Sequence, residues 1–167
     1  PKGSYKNPSQ AKKNAKLIFK KTNCDAVKIE SNNKNFKIIR EITKAKIPVM
    51  GHIGYTPQFK NRFKVEGKKK HEVKKLIKES ISIEKAGAFS IVLECIPKEL
   101  GECVTKNLKI PTIGIGAGPK TDGQVLVLHD LLGLDENFSP KFLRKYVHLH
   151  KIVSSAVDKY HADVRSY

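Results

Sequence analysis

The sequence predicts an α/β protein built on a parallel sheet, and two observations support this. Short apolar runs rich in Val, Ile and Leu each end in Gly or a polar residue, which is typical of strands buried on both faces. Helical patterns separate these runs, and alternating strands and helices are the signature of α/β architecture. The 167 residues are fewer than the roughly 250 of a typical eight-stranded barrel. We see no second domain, so residues 1–167 are expected to form one.

Five segments carry the strand pattern, and each is bounded by turn-forming or polar residues. Their near-continuous apolar character indicates burial on both faces and therefore a parallel sheet. The segments are residues 25–30, 47–54, 89–94, 111–118 and 124–130.

Helical periodicity fills the segments around the strands. Ser9 is a candidate cap for a helix over residues 10–21, and Gly87 suits the left-handed C-terminal cap of a helix over residues 71–86. The polar loop 59–70 is a candidate mobile lid. The other predicted helices are residues 34–45, 97–107, 140–146 and 152–160.

The charge of the chain bears on its ligands. It has 33 Lys and Arg against 16 Asp and Glu, a formal net charge of +17 at pH 7, and such a field favours anionic ligands, acidic surfaces or nucleic acid. The basic residues are scattered over predicted helix faces, and only residues 68–70 form a compact run, without the interleaved aromatics of a stacking surface. We therefore expect solvated helix faces and no nucleic-acid partner, with a non-catalytic basic binding module as a rival hypothesis.

Cysteine and apolar content bear on the compartment. Cys24, Cys95 and Cys103 lack CxxC spacing, which favours reduced thiols in a reducing compartment over disulfides. No run approaches the roughly 18 apolar residues of a membrane span, and the first residues lack the apolar core of a secretory signal. We expect a cytoplasmic protein without a membrane partner.

Lys28 and Glu30 are the first candidate site residues. They alternate with apolar residues along one strand, so both point to the same face, where burial is costly unless each charge is engaged. Glu30 offers an oxygen ligand to a hard divalent cation, and Lys28 offers a counter-charge to a substrate carboxylate. A structural ion pair between them is the alternative, and spacing does not separate the two interpretations.

Glu94 and His52 stand at two further strand ends. The apolar strand before Glu94 favours a proton-transfer role, and capping of the next helix is the alternative. His52 is suited to orient substrate or shuttle a proton, although a lone His is more often structural. His129 and Asp130 are either a ligand pair or, as we favour, a strand-terminal hydrogen bond.

Six motifs follow one another along nearly the whole chain. They are Val-Lys-Ile-Glu (27–30), Gly-His-Ile-Gly-Tyr-Thr-Pro-Gln (51–58), Leu-Glu-Cys-Ile-Pro (93–97), Ile-Gly-Ile-Gly-Ala-Gly (113–118), Thr-Asp-Gly-Gln-Val-Leu-Val-Leu-His-Asp (121–130) and Pro-Lys-Phe (140–142). Any one of them is weak evidence. In this order and at these spacings, the set closely resembles the ketopantoate hydroxymethyltransferase family, also called 3-methyl-2-oxobutanoate hydroxymethyltransferase.

The resemblance implies a (β/α)8 TIM barrel of phosphoenolpyruvate/pyruvate type, of which this chain carries roughly strands 4 to 8. It implies transfer of a one-carbon unit from 5,10-methylenetetrahydrofolate to 3-methyl-2-oxobutanoate in pantothenate and coenzyme A synthesis. A divalent metal, usually Mg²⁺, and a homo-oligomeric state are also implied. By motif, Glu94 is the catalytic acid/base and Glu30 a metal ligand. Lys28 binds the substrate carboxylate and His52 is a second substrate-binding residue, while the folate-binding residues stay unassigned.

The sequence departs from the family pattern at its start. That pattern has earlier strands with a Gly-Asp-Ser segment and an Asp just before the Pro that Pro1 matches, and neither is present. Two of the three expected protein ligands to the metal are therefore absent, so we expect a fragment of such an enzyme that is inactive alone. A metal-dependent 2-oxo-acid C–C lyase of the same barrel superfamily is the other alternative, and it would not need folate.

Overall fold

We describe residues 3–31 and 35–167 of a computed structural model of the chain. The chain divides into two compact units, Pro1–Val125 and Leu126–Tyr167, and each is described by itself. The expectation of a single partial barrel domain over residues 1–167 stays a prediction.

Within the described residues, the first unit is a five-stranded sheet with helices between the strands. Neighbouring strands follow chain order, and every pair is parallel. The predicted α/β class and parallel sheet are confirmed, while the numbering as barrel strands 4 to 8 stays a prediction. The elements are α1 (Pro8–Thr22), β1 (Val27–Glu30), α2 (Phe36–Lys44), β2 (Val49–Gly54), α3 (Lys70–Lys85), β3 (Ser90–Glu94), α4 (Lys98–Asn107), β4 (Thr112–Ile115) and β5 (Gly123–Gln124).

The strand register sorts side chains onto two faces of the sheet. Partners such as Glu30 and His52 share one face, because directly paired residues of parallel strands point the same way. The helices pack on the other face, where a Cβ added at Gly51 would lie 2.5 Å from Ile83 Cγ2 of α3. The candidate site residues therefore stand on the face away from the helices. The buried core includes Ile29, Ile39, Ile42, Val49, Ile53, Ile83, Ile91, Leu93 and Val104.

The start of α1 differs from the prediction. The Asn7 side chain accepts a hydrogen bond from the backbone N–H of Gln10 at 2.9 Å, so Asn7, and not Ser9, caps the helix. Pro8 occupies the first turn, where a missing N–H breaks no helical bond. The helix starts two residues earlier than predicted, because Pro8 is favourable in the first turn and the Asn7 side chain is available as its cap.

The next three helices confirm the prediction with small shifts at their ends. α2 buries Ile38, Ile39 and Ile42 on the expected stripe. It begins at Phe36, and Lys34, where the prediction began, lies outside the described residues. Gly87 follows α3 with a φ of +93°, the left-handed conformation that favours glycine.

The predicted strand 124–130 is wrong for most of its length. Only Gly123–Gln124 pairs with β4, and Leu128–Leu131 forms the short helix α5. Among the described residues β5 has a strand partner on one side only, so the apolar side chains after it stay exposed and burial does not hold them in a strand. His129 and Asp130 lie in α5, which makes the strand-terminal hydrogen bond wrong as well.

The second unit contains α5 and a longer helix, α6 (Leu149–Arg165). The helix predicted over residues 152–160 lies within α6. The helix predicted over residues 140–146 is not formed, and a single turn stands there, closed by the Leu143 N–H donating to the Pro140 carbonyl at 2.9 Å. So short a helix is marginal without an apolar face to bury. None of the described helices is long and apolar enough to cross a bilayer.

Candidate active site

His52 links two neighbouring strands through its imidazole ring. β2 buries the residue, which is 1 % exposed. Nδ1 of the ring lies 3.0 Å from Lys28 Nζ on β1, and Nε2 lies 3.0 Å from Glu94 Oε2 at the end of β3. The fold therefore brings three of the predicted site residues, Lys28, His52 and Glu94, into one line, which we call the polar row.

The two contacts of His52 indicate which ring nitrogen accepts a hydrogen bond. A lysine ammonium has only N–H groups to offer, so Lys28 donates and Nδ1 accepts. The proton of the neutral ring is then on Nε2, which faces the Glu94 carboxylate. Among the described residues Nε2 has no aligned hydrogen-bond partner, so its contact with Glu94 is a close approach without a formed hydrogen bond.

Glu94 belongs to the polar row and does not cap α4. Pro97 precedes the first residue of α4, and among the described residues no side-chain cap bond is formed there, so the capping interpretation of Glu94 is wrong. The Tyr55 N–H donates to the Glu94 carbonyl at 2.8 Å, and the Cys95 N–H donates to Ile115 O at 2.9 Å. Neighbouring strands thus hold the backbone around Glu94, while its carboxylate remains 19 % exposed and open to a ligand.

Gly54 allows β2 and β3 to approach closely at this edge. It has a φ of +93°, and a Cβ there would overlap the Glu94 carbonyl oxygen. Any other residue would strain the backbone and push β3 away. The second glycine of the Gly-His-Ile-Gly motif is therefore needed to place Glu94 next to His52.

Glu30 is buried and held by Gln58. Its Oε2 accepts from the Gln58 backbone N–H at 2.9 Å, and its Oε1 accepts from Gln58 Nε2 at 3.0 Å. Among the described residues, Lys28 contacts His52 and forms no ion pair with Glu30. The structural ion pair between Lys28 and Glu30 is therefore wrong.

Comparison with known proteins adds the observation that decides the family. A model of the ketopantoate hydroxymethyltransferase family matches residues 1–167. The chain belongs to the ketopantoate hydroxymethyltransferase family. This confirms the resemblance seen in the six motifs, and with it the barrel type of α/β fold.

Three similar curated proteins show how much of their length the chain matches, and each is named 3-methyl-2-oxobutanoate hydroxymethyltransferase. The protein of Leptospira interrogans (serovar copenhageni, strain Fiocruz L1-130) is 49 % identical over 158 residues, covering 92 % of this chain and 60 % of the relative. That of Francisella tularensis (strain FSC 198) is 45 % identical over 160 residues, covering 94 % and 61 %. That of Syntrophomonas wolfei is 44 % identical over 160 residues, covering 94 % and 58 %. The chain spans about 60 % of the length of these relatives.

For this ketopantoate hydroxymethyltransferase family member, Glu30 is the one predicted metal ligand. Each of its carboxylate oxygens accepts one hydrogen bond from Gln58 and keeps a lone pair that a hard cation could use. The part of the chain that the structure describes contains no group of three His, Cys, Asp or Glu side chains able to hold a metal ion. These residues do not make a metal site by themselves.

Gln58 and Tyr5 are parts of the site that the sequence prediction missed. Gln58 is the last residue of the motif at residues 51–58. Its partner, the Glu30 carboxylate, is brought near only when the chain folds. Burial, followed by the negative charge of Glu30, raises the pKa of Tyr5 to about 12, so its phenol stays protonated beside that carboxylate. No sequence pattern pointed to Tyr5, because the segment before α1 meets the end of β1 only in the folded chain.

The loop between β2 and α3 is anchored at two points. Lys60 Nζ donates to the Gly54 carbonyl at 2.9 Å and lies 2.9 Å from Glu66 Oε1. The Glu66 N–H in turn donates to Cys95 O at 2.9 Å. Residues 61–65 stand between these anchors, and the mobility expected of the loop stays a prediction. A cavity of about 800 Å³, which we call the loop cavity, lies beside it.

Proposed function

We propose that this chain carries the proton-transfer and substrate-holding part of a hydroxymethyl transfer from 5,10-methylenetetrahydrofolate to 3-methyl-2-oxobutanoate, giving ketopantoate for pantothenate and coenzyme A synthesis. The polar row supports the proposal, because it sets a cation, a neutral imidazole and a carboxylate side by side in a member of this family. Each of the three groups has a separate role.

Glu94 is the proposed base. Its carboxylate takes the proton from C3 of the 2-oxo acid, and the C–H electron pair moves between C3 and C2 while the carbonyl oxygen gains charge as an enolate. C3 then bonds to the one-carbon unit of the folate in its iminium form, and the C=N electron pair moves to the folate nitrogen. Water replaces that nitrogen at the new carbon, which leaves the hydroxymethyl group of ketopantoate and releases tetrahydrofolate. The partial exposure of Glu94 at the end of β3 supports this role, because a ligand can reach the carboxylate.

Lys28 is proposed to hold the substrate carboxylate. One of its three N–H groups is used on His52 Nδ1, and two remain for a ligand. The residue is exposed, so a small anion can reach it without breaking an ion pair. A cation here also stabilises the negative charge that develops on the 2-oxo acid in the transition state.

His52 is proposed to set the distance between the substrate cation and the base. A buried ring with both nitrogens engaged or faced by a partner has little freedom to turn. Nε2 also faces the Glu94 carboxylate at 3.0 Å, so its proton is within reach when that carboxylate turns toward it. We therefore assign His52 a positioning role and leave the reacting atoms to Lys28 and Glu94.

Glu30 is proposed as one ligand of a divalent cation, usually Mg²⁺, in a site that further ligands must complete. When bound, such an ion supplies Lewis acidity to a carbonyl oxygen. The folate is the proposed co-substrate, and a cytoplasmic homo-oligomer is the proposed working state.

A hybrid enzyme tests the proposal. The segment of this chain that aligns with the Leptospira interrogans relative replaces the matching 158 residues of that protein, which supplies the rest of its own length. We expect the hybrid to convert 3-methyl-2-oxobutanoate to ketopantoate only when 5,10-methylenetetrahydrofolate and Mg²⁺ are both present, as followed by NMR of the 2-oxo acid.

Other outcomes of this experiment contradict the proposal in distinct ways. A folded hybrid that cleaves a 2-oxo acid without folate would support the C–C lyase. A folded hybrid without turnover, together with salt-sensitive binding of polynucleotide by the 167-residue chain, would support the basic binding module.

A further inference from the structure

Positive charge is concentrated in the loop that borders the loop cavity. Residues 59–70, which we call the basic loop, contain six Lys or Arg and one Glu. Lys60, Arg62 and Lys64 occupy alternate positions, and all three line the cavity. A volume of about 800 Å³ lies within the range of about 300–1,000 Å³ found for small-molecule pockets. The cavity is therefore of ligand size and cationic on one wall.

The carboxylates near this wall leave part of its charge uncompensated. Glu66 Oε1 lies 2.9 Å from Lys60 Nζ and 3.6 Å from Lys64 Nζ, so one carboxylate serves two cations. Among the described residues no carboxylate pairs with Arg62. Glu72 accepts two backbone N–H groups at the start of α3, and these, with the nearby charge of Lys64, lower the pKa of its carboxyl. Arg62 is thus the loop cation most able to take an anionic ligand, and Lys64, whose contact with Glu66 is the longer one at 3.6 Å, is the second.

The wall opposite the basic loop has a different character. Glu79 is buried there and accepts a hydrogen bond from the Ser31 hydroxyl. Leu76 adds apolar surface on α3, and Phe59 adds it from the loop. A ligand that fits both sides carries its negative charge toward the loop and meets mixed groups on α3, where the other lining residues are His71, Glu72 and Lys75.

The loop cavity adjoins the candidate active site without containing it. Its lining includes Ser31, which follows Glu30 in the chain, and Gly54, the strand partner of Glu94. His52 and Glu94 do not line it. A ligand held in the cavity can therefore extend a reactive end to the polar row while its other end stays on the basic loop.

We propose that the loop cavity binds the anionic glutamyl tail of the folate co-substrate, with Arg62 and Lys64 contacting its carboxylates. The inference rests on the proposed function, which requires a folate donor. A glutamyl tail carries several carboxylates along a flexible chain, and cations at successive alternate positions of a loop suit such a ligand. The guanidinium of Arg62 suits a carboxylate because two parallel N–H groups meet its two oxygens.

Isothermal titration calorimetry of the 167-residue chain with 5-formyltetrahydrofolate tests the proposal. The ligand is used with one glutamate and with five glutamates. We expect the pentaglutamate to bind at least about tenfold more tightly, which corresponds to about 1.4 kcal/mol. The double variant R62A/K64A should lose this preference. K13A/K16A, which removes two exposed cations from α1, is the matched control and should keep it.

Each alternative result has a separate meaning. A preference that survives in R62A/K64A, or one that falls equally in K13A/K16A, overturns the inference and leaves folate dependence intact. Failure of the unsubstituted chain to bind either ligand overturns the inference, and absence of folate-dependent turnover in the hybrid is what overturns the proposed function. Melting curves of both double variants should be unchanged, because all four positions are exposed.

Discussion

His52 Nε2 and Glu94 Oε2 lie 3.0 Å apart on adjacent parallel strands, yet no aligned hydrogen bond joins them. The imidazole is 1 % exposed and the carboxylate 19 % exposed. The buried ring is therefore the fixed member of the pair, and the carboxylate is the member that can turn toward a ligand. This arrangement suits a base that must release a proton after accepting it.

Replacing His52 in the hybrid enzyme should lower kcat and change KM for the 2-oxo acid little. H52A removes the side chain that holds Lys28 and Glu94 at a fixed separation, and loss of such a supporting residue typically costs about 10–100-fold in activity. H52Q keeps an N–H donor and should recover part of kcat. Equal activity of H52A and the unsubstituted hybrid would show that the row is only structural.

Replacing Glu94 should stop proton removal from the substrate. E94Q keeps the size of the side chain but has no basic oxygen, so hydrogen–deuterium exchange at C3 of 3-methyl-2-oxobutanoate should fall by about 10²–10⁴-fold. NMR of the substrate in D2O without folate measures this step in the hybrid. E99Q, at an α4 carboxylate that is 75 % exposed, is the matched control and should exchange normally.

Replacing Gly54 should destabilise the first unit. G54A places a Cβ against the Glu94 carbonyl at a φ of +93°, and we expect a loss of about 3 kcal/mol in the free energy of unfolding. G3A is the control, because Gly3 also has positive φ, at +86°, but its nearest added contact is 3.7 Å away. Urea unfolding curves that shift equally for both variants would contradict the clash.

Cys95 should make the protein less stable at alkaline pH. Burial, followed by the charge of Glu94, raises the pKa of the Cys95 thiol from 9.0 to about 12. The unfolded chain loses this proton at lower pH than the folded chain, so the contribution is present below about 9 and is lost as pH rises toward about 12. C95A should flatten this part of the unfolding free energy measured against pH.

The same pKa makes Cys95 slow to alkylate. At pH 8 its thiol remains protonated, whereas Cys24 and Cys103 are only half buried. Peptide mass spectrometry after iodoacetamide treatment should find Cys95 modified last. Modification of Cys95 ahead of the other two would contradict its burial.

Glu30 alone should bind Mg²⁺ weakly. Calorimetry of the 167-residue chain should show no binding tighter than the millimolar range, because hard cations need several oxygen ligands and the described residues offer one candidate. The 167-residue chain by itself, outside the hybrid enzyme, should also show no turnover. In the hybrid, E30Q should raise the Mg²⁺ concentration needed for half-maximal activity, and an unchanged requirement would exclude Glu30 as a ligand.

The sequence correctly predicted those strands and helices whose apolar residues are buried in the fold. β1 to β4 and the helices between them carry apolar residues that meet in one core, so periodicity and packing agree. The run after Gly123 has the same composition but a partner on one side only within the described residues, and most of it is not a strand. Composition does not show which strand lies at an edge.

The site was predicted to a similar extent and for a similar reason. Strand alternation placed Lys28 and Glu30 on one face, which the register supports. The partner of each was not predictable, because Lys28 meets His52, and Glu30 meets Gln58, only after strands and loops far apart in the chain come together. Spacing along one strand gives direction but not the neighbour across the sheet.

Gln58 makes the Glu30 carboxylate and the basic loop thermodynamically interdependent. The backbone N–H and the side-chain amide of Gln58 both donate hydrogen bonds to Glu30. Lys60, two residues later, anchors the basic loop through its bond to the Gly54 carbonyl. A ligand that draws Glu30 away from Gln58 changes the free energy of the loop, and by reciprocity a ligand on the loop changes the affinity at Glu30. Occupancy at one place therefore changes the affinity at the other, and by the same factor in both directions.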